Sequence, residues 1–351
     1  MRFGVEEEFC FVGPIDYSIR NSIFDLLGKI EDKYKETQVK SELHKCIVEV
    51  TTKICSSLDE LEDEIRFLRK MVQDKSKELG ISIISSGLHP FSQPENAILI
   101  EKERYMRLIS MGSVLAENVH FGMHIHIEEV LEEKRFAIIN LMKYFIPEII
   151  SISTNSPFYL GRRTDFATNR LKRYDRAPSA GIPPNIMSLA EFDRYLEKMA
   201  CYGVEDERDI YWDIRPRGQY GTIEIRVMDT QASIWQTISI SAFILQLFDY
   251  IERNHNDCLS IGIPTELELY HNRYRAQRDG IDAIFQIKGE SISARKRIGE
   301  IANVIWQDSF SSKEVADGFN RLLSGETGAN LQIAQKNVKN SLRMLEKVFL
   351  L

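Results

Sequence analysis

No cysteine framework, no glycine-rich phosphate loop, no uninterrupted apolar span and no surplus of positive charge occur in this sequence. Each absence removes a class of function. The five cysteines, Cys10, Cys46, Cys55, Cys201 and Cys258, are odd in number and lack CxxC spacing. That pattern argues against a disulfide scaffold or a structural zinc site and fits a reducing compartment, the cytoplasm. Acidic residues outnumber basic ones 52 to 45, for a formal charge of -7, so neither nucleic acid nor an acidic membrane surface is attracted overall. The most apolar stretches, 136–152 and 237–251, are interrupted by charge or proline. They fall short of the roughly 20 apolar residues that span a bilayer, and they read as buried helices. The first residues also lack the basic flank and apolar core of a signal peptide. Neither GxGxxG nor GxxxxGK[ST] occurs, so if a nucleotide is used it is held by other means.

What is present is alternation. In "FGVEEEFCFV", Phe3, Val5, Phe9 and Phe11 share one parity while Glu6 and Glu8 share the other, with Glu7 a charged intruder on the apolar side. A second strand is expected at "KCIVEVTTKI", followed by a helix from about Asp59 that carries Leu61, Ile65, Leu68, Met71 and Val72 on one stripe. "ISIISSG" supplies a third strand, and 101–117 a helix. From 119 to 128, Val119, Phe121, Met123, Ile125 and Ile127 oppose His120, Gly122, His124, His126 and Glu128. Helices are expected over 132–153 and from Ser188. The 31 residues "NSPFYLGRRTDFATNRLKRYDRAPSAGIPPN" between them read as a lid or a disordered loop. "YWDIRP" and "GTIEIRVMD" form a strand pair turning at "RGQY", and the second of them places Thr222, Glu224, Arg226 and Met228 on one face. The remainder is helical, with an amphipathic C-terminal segment that serves as core or as a homo-oligomer interface. Short antiparallel-looking strands among helices indicate an α+β class.

Period-two geometry pairs Glu6 with Glu8, His124 with His126, and Glu224 with Arg226, each on a common face. Glu49, and Glu42 seven residues upstream, can join them. Every element also has an ordinary reading: a solvated glutamate triplet, structural histidines, or a Glu224–Arg226 cross-strand salt bridge. H-x-H equally suits a zinc hydrolase, but no third ligand can be picked out. Recurrence of inverted polarity on separate strands favours one shared site. Its carboxylates repel unless divalent cations lie among them, and an oxygen-rich set favours Mg2+ or Mn2+. Arg162, Arg163, Arg170, Arg173, Arg176, Arg215 and Arg217 offer carboxylate and phosphate contacts, though surface placement explains any one of them as well.

Seven segments, "FGVEEEF", "SELHKCIVEVTT", "LHPF", "FGMHIHI", "STNSPFYLGRRTDFATNR", "YWDIRPRGQYGTIEIRVMD" and "NRYRAQRDGIDA", together resemble the YbdK-type carboxylate–amine ligases, the type 2 glutamate–cysteine ligase family. The resemblance implies one catalytic domain over residues 1–351, with a glutamine synthetase-like fold. In that fold a curved antiparallel sheet, flanked by helices, forms a funnel. It implies metal binding by Glu6, Glu8, Glu42, Glu49, His124 and Glu224, and ATP contacts from Glu8, Glu49, His124 and Arg226. Glu224 and Arg226 take catalytic roles, with Arg170 a substrate or phosphate contact. The implied reaction activates a small carboxylate, L-glutamate, with ATP and Mg2+ or Mn2+, then joins it to an amine, L-cysteine. A phosphotransferase on the same fold, or a decayed nucleotide- or metal-binding protein, are the alternatives. The sequence departs from the family pattern at Thr52-Lys53, where Thr-Gly is usual, and at Asp165, where Gly is common.

Overall fold

Alternating polarity in the opening segment builds the central strand of the protein. The computed structural model describes residues 1–110, 119–128, 134–177, 179–218, 221–254, 262–307 and 312–351. The expected "RGQY" turn, the end of the helix expected over 101–117 and Cys258 lie wholly or partly outside these residues. Seven strands form one sheet: β1 (Phe3–Val12), β2 (Val39–Ser41), β3 (Ile47–Thr51), β4 (Ser82–Ile84), β5 (Gly122–Glu128), β6 (Ile214–Arg217) and β7 (Thr222–Asp229). Their order is β6-β7-β5-β1-β3-β2, all antiparallel. β4 continues the line of β5 by pairing with the far end of β1.

The expected funnel is not formed. The sheet is open, ending at β6 on one side and β2 on the other, and these edges do not pair among the described residues. Outboard of β1 the strands shorten to five residues and then three. The ladder runs out before twist can bring its edges together.

One face of the sheet is apolar. Phe3, Val5, Met123, Ile125, Ile127, Ile223 and Ile225 pack with the Ile234–Asn254, Arg135–Met142 and Ile146–Ser153 helices in the main core cluster. The two most apolar helical stretches are long enough to cross a membrane by length and composition, but most of each is buried in this core. The C-terminal amphipathic segment is broken at Asn337, whose side chain caps a separate Val338–Val348 helix. Leu342, Leu345 and Phe349 there are buried against the rest of the chain. The long segment after Ser153 carries regular structure among its described residues. It turns through a Phe158–Tyr159/Arg162–Arg163 hairpin at Leu160 and Gly161, both at positive φ, and then forms the Asn169–Tyr174 helix. "YWDIRP" is split at Asp213: Tyr211–Trp212 pairs in parallel with Ala180–Gly181, and β6 begins afterwards.

Glu7, the charged intruder, is answered by the Leu58–Glu78 helix. Arg69 on its buried stripe donates to both Glu7 oxygens, at 2.8 and 2.5 Å, and both side chains are 0% exposed. Thr237 donates to Glu7, and Arg69 also reaches the carbonyls of Phe349 and Gln231. Removing one member of such a pair strands a buried charge, at about 3–5 kcal/mol. We therefore expect Arg69→Met to lower unfolding stability by about that amount in urea titration, and Glu7→Leu with Arg69→Met to recover much of it. A double variant no more stable than the single one would contradict this account.

Candidate functional site

The other face of the sheet is polar and floors a cavity of about 860 Å³. Register sets its contents. Glu6 lies between Thr51 and His124, Glu8 opposite Glu49, and Glu224 between His126 and Arg215. Glu42 follows the end of β2 and lines the same cavity. The walls come from outside the sheet, through Arg104 and Tyr105 of the Glu103–Ser110 helix, Tyr174, and Arg208. A bulge in β7 shifts the register between Ile225 and Met228, so Arg226 and Val227 together face His124. Arg226 stays on the polar face, while Met228 enters the apolar core with Val227, correcting the simple alternation expected from sequence.

Two groups of ligand atoms form on this face. Those of Glu6, His126 and Glu224 lie within 4.8 Å of one another, as do those of Glu8, Glu42 and Glu49. Oxygen donors with at most one imidazole suit a hard divalent cation such as Mg2+ or Mn2+. Sequence reasoning placed His124 among the ligands; its Nδ1 lies 3.2 Å from a Glu6 oxygen and 3.7 Å from a Glu224 oxygen, and His126 stands beside the same two carboxylates. The H-x-H spacing had already turned both imidazoles to this face.

The electrostatics of the two groups differ. Burial acts to raise the Glu6 carboxyl, but His126 and His124, at 3.3 and 3.2 Å, bring it well below the carboxylate range. Burial likewise opposes ionisation of Glu224, and Arg215, Arg226 and the two histidines hold it well below. Arg215 donates to Glu224 at 2.8 Å, and Arg226 is hydrogen-bonded to it. Burial also opposes a charged His126, which Glu6 and Glu224 lift above its ordinary value. His124 goes the other way: burial and Arg226 push it down to about 3. It is therefore neutral at physiological pH, and its buried Nε2 has no hydrogen-bond partner among the described residues.

In the second group the charges are less balanced. Burial raises Glu8 to about 7, helped by Glu49 and opposed by Arg170, the Gly122 N–H and Arg226. Burial, Glu49 and Glu8 drive Glu42 well above its ordinary value. Glu49 is raised by burial and Glu6, against Lys40.

Arg170 sits behind this floor. It is 2% exposed, donates to the Arg226 carbonyl at 3.3 Å and does not line the cavity. A Cβ at Gly122 would lie 2.4 Å from an Arg170 nitrogen and 2.8 Å from His124 Nε2, so only glycine lets these groups meet. Arg162, Arg163, Arg173 and Arg176 line no part of the cavity, whereas Arg215 and Arg217 do. Sequence reasoning missed Lys40, Arg104, Arg208 and the edge-to-face chain His120–Tyr174–Tyr211. Lys40 lies on a three-residue strand with too little alternation to reveal it.

The family described as Glutamate-cysteine ligase family 2 matches residues 2–317. A Roseiflexus sp. (strain RS-1) protein bearing the name "Putative glutamate--cysteine ligase 2" is 30% identical over 345 residues, covering 97% of this chain and 91% of its own length. A Solibacter usitatus protein of the same name is 28% identical over 339 residues, covering 95% and 88%. Among solved structures, the glutamate–cysteine ligase of Francisella tularensis in complex with AMP aligns at a TM-score of 0.70 and 12% identity, over 99% of this chain and 88% of its own. A bifunctional glutathione synthetase from Pasteurella multocida gives 0.66 at 13% identity, over 99% and 52%. At these identities the likeness to the two structures is one of fold.

Glu8 sets a pH dependence. Its carboxyl holds a proton up to about pH 7 in the cation-free fold, against an ordinary value of 4.5. It therefore takes stability away as pH rises through that window. A cation needs the deprotonated form, so its affinity rises over the same range. We expect the melting-temperature gain from saturating Mg2+ to be larger at about pH 8 than at about pH 6. An equal gain at both, with unchanged behaviour in Glu8→Gln, would remove Glu8 from cation binding.

Proposed function

The chain belongs to the glutamate–cysteine ligase family 2, and on that footing we propose that it is an ATP-dependent carboxylate–amine ligase. It activates a carboxylate, L-glutamate, as an acyl phosphate and transfers the acyl group to an amine, L-cysteine. One observation carries this reading: two cation-ready groups of carboxylates share one sheet face with Arg226, in one cavity. Mg2+ or Mn2+, when held by Glu6, His126 and Glu224 and by Glu8, Glu42 and Glu49, supplies charge neutralisation for a triphosphate.

The chain's own residues do the remaining work. Arg104, Arg208, Arg215 and Arg217 give the cavity wall positive charge for the phosphates. Arg226 is held charged, since Glu224 outweighs the burial that would discharge it. Its Nε has no hydrogen-bond partner among the described residues, and its Nη2 donates to the Tyr174 hydroxyl at 3.4 Å. The bulge aims this guanidinium into the cavity, where it stabilises charge on the transferring phosphoryl oxygens. The substrate carboxylate oxygen bonds to the γ-phosphorus as ADP departs. The amine nitrogen then bonds to the acyl carbon as phosphate departs, and the amine proton is lost. No side-chain nucleophile takes part.

Incubation with ATP, Mg2+ and pairs of amino acids and amines tests this, with ADP, phosphate and product mass measured. An amide with inorganic phosphate is the expected outcome. A stable phosphorylated product identifies a phosphotransferase, and absence of ADP with every pair overturns both. Glu224→Gln is expected to cut ADP formation by at least about 100-fold with circular dichroism unchanged. Full turnover in that variant takes Glu224 out of the mechanism.

A further inference from the structure

Edge strand β2 sets Lys40 opposite Glu49, on the polar face of the sheet. Lys40 Nζ stands 3.3 Å from Glu49 Oε1 and 3.2 Å from Thr51 Oγ1, and the Thr51 hydroxyl donates to the same Glu49 oxygen at 3.2 Å. An ammonium group therefore holds one carboxylate oxygen of Glu49, a member of the Glu8–Glu42–Glu49 group. A divalent cation entering there meets a like charge at close range and a carboxylate already engaged through one of its oxygens.

The two halves of the site differ in whether that engagement can be released. Arg215, the partner of Glu224, has a side chain 7% exposed and donates also to the carbonyls of Glu207, Arg208 and Ile210. It is locked in place. The Lys40 side chain is 30% exposed, at the sheet edge, on a flexible four-carbon stem whose ammonium forms no fixed fork.

We propose that Lys40 is a displaceable counter-cation. It neutralises the Glu8–Glu42–Glu49 group until a divalent cation enters, and its freed ammonium then binds an anionic oxygen of the incoming substrate. The second step rests on the ligase reading above, while the first does not. Mn2+ binding to the protein without nucleotide or amino acid, followed by electron paramagnetic resonance, tests the first. Lys40→Met is expected to bind Mn2+ about fivefold more tightly than wild type, the scale of a partly exposed ion pair, and Lys40→Arg to bind it no more tightly than wild type. A purely supporting role for Lys40 in β2 predicts no tightening. Unchanged or weaker Mn2+ affinity in Lys40→Met, with circular dichroism intact, overturns the proposal, as does the lack of saturable Mn2+ binding in wild type. Steady-state ADP formation then separates the anions: a raised KM for ATP points to a phosphoryl oxygen, and a raised KM for the carboxylate substrate to its carboxylate. No change in either KM overturns the second step. Tightened Mn2+ binding with no ADP from any substrate pair sinks the ligase reading and leaves the counter-cation standing.

Discussion

Three successive glutamates on one strand cannot all face the same way, and the site depends on how the fold resolves that conflict. Glu6 and Glu8 face the cavity only because Glu7 is accepted on the opposite side, where Arg69 and Thr237 bind its oxygens at zero exposure. A slip of one residue in β1 would bring Glu7 to the cavity and push two carboxylates into the core. The pair is thus an alignment device. Phe9 and Phe349 lie against the Arg69 guanidinium, tying β1 to the Leu58–Glu78 helix and to the C-terminal residues at one point. The parity of the neighbouring strands follows through the ladder from β1.

With parity fixed, charge is distributed unevenly across the sheet. Toward β6 and β7, Glu6 and Glu224 are surrounded by His124, His126, Arg215 and Arg226 and stay ionised despite burial. Toward β2 and β3, Glu8, Glu42 and Glu49 are all raised by burial: Lys40 offsets it at Glu49, and Arg170 and Arg226 offset it only in part at Glu8. One half is internally neutralised and stiff, and the other is short of positive charge. A second, mobile source of charge is most effective where the deficit lies.

Much of this was legible in the residues. Period-two patterning identified β1, β5 and β7, and it paired Glu6 with Glu8, His124 with His126 and Glu224 with Arg226, leaving Glu42 and Glu49 as residues able to join them. It could not report where the period breaks. The bulge at Arg226–Val227 reverses the placement of Met228, and Asp213 splits what reads as one strand because its carboxylate is taken by Arg273. Openness of the sheet was equally hidden, since it depends on the lengths of β2 and β3, which carry little patterning of their own. Arginine content in the segment after Ser153 suggested substrate contacts. Burial sorts those residues differently, leaving Arg170 beneath the floor and its neighbours away from the cavity.

The residues beneath the floor explain why a site on strands needs so much support from loops. Arg273 bonds both oxygens of Asp213 and both of Asp175, joining the entry of β6 to the end of the Asn169–Tyr174 helix. The Asp213 carbonyl accepts the Arg226 N–H, and Arg170 binds the Arg226 carbonyl. Asp229 accepts from Asn155, Ser156 and Thr168, and Thr168 caps the helix that carries Arg170 and Tyr174. Arg226 is therefore held through its N–H, its carbonyl and its guanidinium by groups that are themselves fixed. A bulged residue left to itself has freedom to swing. These bonds remove that freedom, so the guanidinium is already oriented toward the cavity.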